Sequence, residues 1–237
     1  MLELAGAFSA VANMGLYQEP YAFTQIVNPD GTIYIDVSQV QERRQVFKQS
    51  TAWLITDVLP GCVSSEGTGS RAVWSNIEVA GKTGTNSNNI GVTFAGFTGY
   101  YACAVWIGSD YYKPLTTDAT GGSYAAPFWA AVMSTVHEVT GCTSNKDLLP
   151  KSATSLGLVT AEACGVSGMK PTKFCYSDKR YDVTYDYYLS GTEPTQPCNM
   201  HRSGDALYVP KGHPLRNAKE ENYDELRKYF PNATTRE

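Results

Sequence analysis

The sequence predicts a mixed α/β (α+β) fold in which a sheet lies between helical layers. Residues Tyr101–Ile107 are apolar at both odd and even positions, which is typical of a strand buried on both faces. Residues Thr93–Thr98 form a second β-favouring run, joined to the first at Gly99-Tyr100. A helix is predicted over residues 126–139, where an apolar stripe recurs at helical spacing at Trp129, Val132, Met133 and Val136.

The residues before this region predict further short elements. An amphipathic helix opens the chain and ends near Gly15, because apolar side chains recur at helical spacing at Leu4, Phe8 and Val11. Residues 17–38 predict a β-hairpin around the turn sequence Asn28–Gly31. Another helix is predicted over residues 46–59, and Val73–Val79 is predicted to be a strand.

Composition narrows the class of protein. The 237 residues are 42% apolar and 18% charged, which allows a sizeable core, and the net charge is −4. A nucleic-acid-binding protein usually shows a basic patch, so we expect no nucleic acid as a partner. No apolar run reaches the roughly 18 residues of a membrane span, so we expect membrane attachment only through segments outside this chain.

The stretch Gly81-Lys82-Thr83-Gly84-Thr85 has the composition of a ligand-binding strand. Lys82 supplies a point charge, and Thr83 and Thr85 supply donors for a carboxylate. The glycines allow close backbone approach, and the N–H of Thr85 is a candidate oxyanion donor. We therefore predict catalytic roles for Lys82 and Thr85 and substrate-binding roles for Thr83, Gly84 and Thr85. The tripeptide Lys-Thr-Gly alone also fits a solvated strand end.

Residues 142–237 differ in character from residues 1–141. They contain many turn residues and little periodicity, so we expect an irregular Cys-containing extension with a short helix at Glu220–Phe230. Four potential metal ligands lie there: Cys164, Cys175, Cys198 and His201. The spacing of these cysteines lacks the C-x₂₋₄-C pairs that are typical of structural zinc sites. A disulfide of unspecified connectivity is favoured over a zinc site, and no metal is assigned.

Several short motifs follow one another in this order: Leu2–Phe8, Gly67–Gly69, Gly81–Thr85, Phe97–Tyr100, Val105–Gly108 and Gly121-Gly122. Together they resemble the transpeptidase segment of class A penicillin-binding proteins, over about residues 1–140 and parts of 160–201. The resemblance implies a mostly antiparallel sheet and a D,D-transpeptidase that cross-links peptidoglycan stem peptides through a serine acyl-enzyme. It also implies inhibition by β-lactams, no metal or organic cofactor, and a place on the outer side of the bacterial plasma membrane.

The chain departs from this family because a nucleophile Ser-x-x-Lys and a Ser-x-Asn motif should precede Leu2. The formal matches Ser167–Lys170 and Ser87–Asn89 come too late in the order, and Gly168 and Pro171 disfavour a helix at the first. We therefore expect residues 1–141 to be the C-terminal half of a transpeptidase domain whose N-terminal half is a partner. The alternatives are a non-catalytic wall- or partner-binding remnant of the fold and, less favoured, a serine β-lactamase.

Overall fold

A computed structural model describes residues 1–178 and 181–201, and the chain divides into two units, Met1–Ser152 and Ala153–Glu237. The helices of the first unit are α1 (Leu2–Ala12), α2 (Val37–Val40), α3 (Gln49–Val58), α4 (Pro60–Val63) and α5 (Ala126–Thr140). Its strands are β1 (Leu16–Gln18), β2 (Gln25–Val27), β3 (Ile33–Asp36), β4 (Arg43–Gln45), β5 (Ala80–Thr85), β6 (Gly91–Phe97) and β7 (Ala102–Gly108). The second unit contains β8 (Leu158–Cys164), α6 (Lys173–Ser177) and β9 (Val183–Leu189).

The central sheet of the first unit has the strand order β5-β6-β7, and both pairings are antiparallel. Because side chains alternate across a strand, the two faces of the sheet carry different residues. One face packs Phe94 and Val105 against Trp129 and Met133 of α5. The other face packs a second apolar cluster around α1, made by Val11, Ala80, Phe97 and Leu148. The predicted α+β fold with an antiparallel sheet between helical layers is confirmed.

The sheet differs from the sequence prediction in which strand is buried on both faces. That strand is β6, nearly all of which is buried, whereas in β7 only Val105 is buried. Trp106, expected in the core, is 43% exposed, and its ring lies across the spaces that side chains at Gly91 and Gly108 would occupy. Apolar composition did not reveal that β6 is the strand with a neighbour on each side.

The helices predicted in the first unit are confirmed with small changes in their bounds. The opening helix is α1, and Gly15 follows it with a φ of +86°. The helix predicted over 126–139 is α5, which ends at Gly141 in the left-handed conformation. The side chain of Trp129 is fully buried, as predicted, and its Nε1 donates to the Cys103 carbonyl at 2.9 Å.

The predicted strand Val73–Val79 is wrong, because the strand begins only at Ala80. Ser75 has a φ of +52°, so the chain turns in the middle of the predicted run. Ile77 and Val79 are still buried, which shows that their apolar character reflects packing rather than strand pairing. The hairpin predicted over residues 17–38 is present as β2 and β3.

The second unit contains more regular structure than the expected irregular extension. Strands β8 and β9 form an antiparallel pair with Leu158 opposite Leu189. The division falls after Ser152 rather than after residue 141, because the intervening residues belong to the first unit. Leu148 is buried in the core around α1, and the Asn145 side chain accepts the Glu78 N–H at 2.9 Å. The helix predicted at Glu220–Phe230 lies outside the described residues.

Candidate active site

The predicted site residues Lys82, Thr83, Gly84 and Thr85 form the second half of β5. Within the described part of the chain, β5 pairs only with β6, so its other edge is open. An open strand edge presents main-chain donors and acceptors that an extended peptide can pair with. Lys82 and Thr85 are exposed, and Thr83 and Gly84 are partly buried, so the side chains that could bind a ligand are accessible.

A group of hydroxyl and ammonium groups lies at the centre of this edge. The hydroxyls of Thr83 and Thr68 are 2.7 Å apart. The Nζ of Lys82 donates to the backbone oxygen of Thr83 at 3.0 Å and lies 3.4 Å from its Oγ1. Cys62 adds a thiol 3.4 Å from the Thr68 hydroxyl. One cation beside two hydroxyl donors is a suitable arrangement for a carboxylate ligand.

The far end of β5 is held by the turn that leads into α5. The hydroxyl of Thr85 accepts a hydrogen bond from the Gly121 N–H at 3.0 Å. A capping box between Thr120 and Ser123 fixes the start of this turn. A Cβ on Gly121 would meet the backbone of Gly84 at 2.8 Å, so only glycine lets the turn approach the strand this closely.

The glycines of β5 serve the sheet itself as well as any ligand. A Cβ on Gly81 would lie 2.5 Å from Cζ of Phe94, and a Cβ on Gly84 would lie 2.2 Å from Oγ1 of Thr93. The sequence predicts that these glycines allow another backbone to approach. In the structure their lack of a side chain is already required by the neighbouring strand β6.

The formal matches to the Ser-x-x-Lys and Ser-x-Asn motifs both lie in turns or short connections of the structure. Ser87–Asn89 links β5 to β6, and the Asn89 side chain donates to the Thr117 carbonyl at 3.1 Å. Ser167 lies in a turn with Gly168 at a φ of +66°, and its hydroxyl donates to Sγ of Cys198 at 3.2 Å. Ser167 therefore does not open a helix that could place Lys170 above it.

The second unit brings together the four potential metal ligands named from the sequence. Their ligand atoms all lie within 4.8 Å of one another, and all four side chains are buried: Cys164, Cys175, Cys198 and His201. The three cysteines are free thiols. Burial raises the pKa of the Cys198 thiol, but hydrogen bonds from Ser167 and His201 outweigh this effect and lower that pKa to about 6.

The sequence alone predicts no role for Thr68 or Gly121, although both lie in motifs that carry the family resemblance. The signal available was the presence of Gly67–Gly69 and Gly121-Gly122 in the family's order. Contact between these segments and β5 is a property of the folded chain, so spacing along the sequence could not reveal it.

The antiparallel sheet between helical layers, with Lys-Thr-Gly on a strand edge, is the fold that the sequence resemblance to penicillin-binding proteins implies. The family model for the penicillin binding protein transpeptidase domain matches residues 1–134, more than half of the chain. The model for the penicillin-binding protein 1A C-terminal domain matches residues 155–203. The chain belongs to the penicillin-binding protein transpeptidase domain family.

Penicillin-binding protein 1A of Clostridium perfringens is 34% identical over 200 residues, which are 84% of this chain and 23% of the relative. The Clostridium botulinum protein of the same name is 33% identical over 201 residues, with the same shares. This chain therefore spans about a quarter of the length of the curated relatives it matches.

The fold of this chain resembles that of solved penicillin-binding proteins. Penicillin-binding protein 1A of Haemophilus influenzae superposes with a TM-score of 0.63 at 19% identity, covering 83% of this chain and 32% of that chain. PonA1 of Mycobacterium tuberculosis gives 0.54 at 26% identity, covering 62% and 40%, and has been solved with penicillin V. None of the described helices is long and apolar enough to cross a membrane.

Proposed function

We propose that this chain forms the substrate-binding part of a peptidoglycan D,D-transpeptidase, and that residues outside this sequence supply the serine nucleophile and the second motif. One observation carries the proposal: the ammonium of Lys82 and the hydroxyls of Thr83 and Thr68 lie close together on the open edge of β5. The family assignment and the share of the relatives that this chain spans support it.

In this proposal a stem peptide adds to β5 through main-chain hydrogen bonds, with its terminal D-Ala-D-Ala beside Lys82. Lys82 and the hydroxyls of Thr83 and Thr68 hold the terminal carboxylate. The backbone N–H of Thr85 stabilises the oxyanion that forms when the serine attacks the penultimate D-Ala carbonyl. Gly121 maintains this geometry because its N–H holds the Thr85 side chain.

The chemistry proceeds in two steps of acyl transfer. The serine oxygen gains a bond to the carbonyl carbon, its proton passes through a base to the nitrogen of the breaking peptide bond, and the terminal D-Ala leaves as the free amino acid. The amine of a second stem peptide then attacks the ester and forms the cross-linking amide, and the proton it loses passes through the base to the departing serine oxygen. A β-lactam acylates the same serine when its ring amide opens. Because peptidoglycan lies outside the plasma membrane, this function requires the domain to lie on the outer side of that membrane.

The test replaces Lys82 in a protein that contains this chain together with its serine-bearing partner segment. Lys82→Ala should slow acylation by a fluorescent penicillin by about 10²–10³-fold, the typical effect of losing one preorganised electrostatic group. The matched control is Lys113→Ala, which removes an exposed lysine and should leave the rate unchanged. Equal rates for Lys82→Ala and the unmodified protein would contradict the assignment.

The same proposal predicts that the 237-residue chain alone forms no covalent adduct with penicillin. Intact-mass measurement after incubation with penicillin checks this directly. A covalent adduct on the lone chain, on Ser167 in particular, would mean that the nucleophile lies within this sequence.

A further inference from the structure

We propose that Cys164, Cys175, Cys198 and His201 form a structural Cys₃His zinc site in the second unit. Structural zinc sites are tetrahedral and are closed by four cysteine or histidine ligands. These four ligand atoms converge in the interior of the unit and lie within 4.8 Å of one another. The sequence favours a disulfide among these cysteines, whereas the convergence of the four ligand atoms points to a metal.

The three distances among Cys164, Cys198 and His201 are close to those of a tetrahedron around zinc. With Zn–S near 2.3 Å and Zn–N near 2.0–2.1 Å, ligand atoms in a tetrahedron lie about 3.8 Å apart for two sulfurs and about 3.6 Å apart for sulfur and nitrogen. The Cys164 and Cys198 sulfurs are 3.6 Å apart, and each lies 3.4 Å from Nδ1 of His201. One disulfide would bring two sulfurs to about 2.05 Å and would leave the third thiol and the imidazole without a role.

His201 is oriented as a metal-binding histidine. Its Nδ1 faces the sulfurs, and its Nε2 lies 3.3 Å from Oδ2 of Asp178. Both side chains are only 4% exposed. A carboxylate on the far nitrogen of a zinc-bound imidazole fixes the ring and strengthens the ligand.

Hydrogen-bond donors also face the sulfurs from outside the cluster. The Ser167 hydroxyl donates to Cys198, and the backbone N–H of Thr172 donates to Cys175, each at 3.2 Å. Three thiolates around one zinc ion carry excess negative charge, and such donors offset it. Zinc binding would release the thiol protons to solvent, as the ligands bind in their deprotonated form.

Among the described residues of the second unit, the main buried cluster is small and rich in cysteine. It consists of Cys164, Cys175, Cys198 and Met200. Small clusters of this kind in natural proteins are often supplemented by disulfides or a structural metal. The ligands come from three separate segments, namely the end of β8, helix α6 and the Cys198–His201 segment. A zinc ion would therefore join these three segments.

The first test is metal analysis of the untagged chain, purified without chelators. We expect one zinc ion per chain by mass spectrometry of the metal, and all three thiols recovered as free cysteines after acid release. Replacing zinc by cobalt under reducing conditions should give the thiolate charge-transfer bands and intense visible bands of tetrahedral cobalt. No zinc in the purified chain, together with no such bands after reduction and cobalt addition, would overturn the proposal.

Variants identify the ligands. Cys198→Ser should lose stoichiometric zinc, whereas Cys142→Ser, which removes a thiol of the first unit, should retain it. Asp178→Asn should keep the tetrahedral cobalt spectrum but bind zinc about 10–100-fold more weakly, as typical for loss of a partner that orients a ligand. Zinc retained at full stoichiometry in Cys198→Ser, or a disulfide between two of the three cysteines in a non-reduced digest, would refute the site.

Discussion

Gly122 offers the sharpest test of how the turn before α5 supports the candidate site. A Cβ at this position would lie 2.0 Å from the backbone oxygen of Thr68. Unlike the end of a flexible side chain, this oxygen cannot rotate away. The Thr68 hydroxyl is 2.7 Å from that of Thr83, so the substitution Gly122→Ala has to move either the turn or the residue that contacts the Lys-Thr-Gly strand.

Two opposing effects set the size of the expected change. Forcing a methyl group into a filled site costs about 1–3 kcal/mol. Replacing glycine by alanine in a compatible backbone conformation returns about 0.4–1 kcal/mol by reducing the freedom of the unfolded chain. We expect a net loss of about 1–2 kcal/mol in the free energy of unfolding. At about 2–4 °C per kcal/mol for a domain of 150–250 residues, Tm should fall by about 2–8 °C.

Tryptophan fluorescence isolates the unit that carries the substitution. All four tryptophans belong to the first unit: Trp53, Trp74, Trp106 and Trp129. The matched control is Gly61→Ala, because a Cβ there meets nothing within 4 Å. If Gly122→Ala unfolds at the same temperature as the unmodified chain or the control, the close approach of Gly122 to Thr68 is not a constraint on the fold.

Two further substitutions test the packing of α5 on the sheet. Trp129→Ala should lower the free energy of unfolding by about 3–5 kcal/mol because the side chain is fully buried. The control is Phe128→Ala, whose side chain is 52% exposed and which should change the free energy of unfolding by less than about 0.5 kcal/mol. Urea denaturation followed by circular dichroism measures both changes. Similar losses for the two variants would show that Trp129 is not part of the core. His137→Leu should cost about 1–3 kcal/mol in the same assay, because it removes the buried partner of the Thr98 hydroxyl at 3.0 Å and of the Cys142 carbonyl at 2.6 Å. An unchanged midpoint would show that these groups find other partners.

The sequence by itself predicted several local elements and the side-chain composition of the candidate strand. Periodicity predicted α1 and α5 because an amphipathic helix repeats its apolar positions within a few residues. Turn residues predicted the hairpin of β2 and β3. The composition of Gly81–Thr85 indicated a ligand-binding strand, since one lysine among hydroxyls and glycines is poor core material.

Only the tertiary structure decided which segments meet. It made β6 rather than β7 the strand buried on both faces, because this depends on which strand has neighbours and not on composition. It brought Thr68 to Thr83 across fifteen positions and Gly121 to Thr85 across thirty-six. It also gathered Cys164, Cys175 and the Cys198–His201 segment around one point. Sequence spacing cannot predict these contacts. Two residues a given number of positions apart can lie close together or far apart, depending on the path of the chain between them.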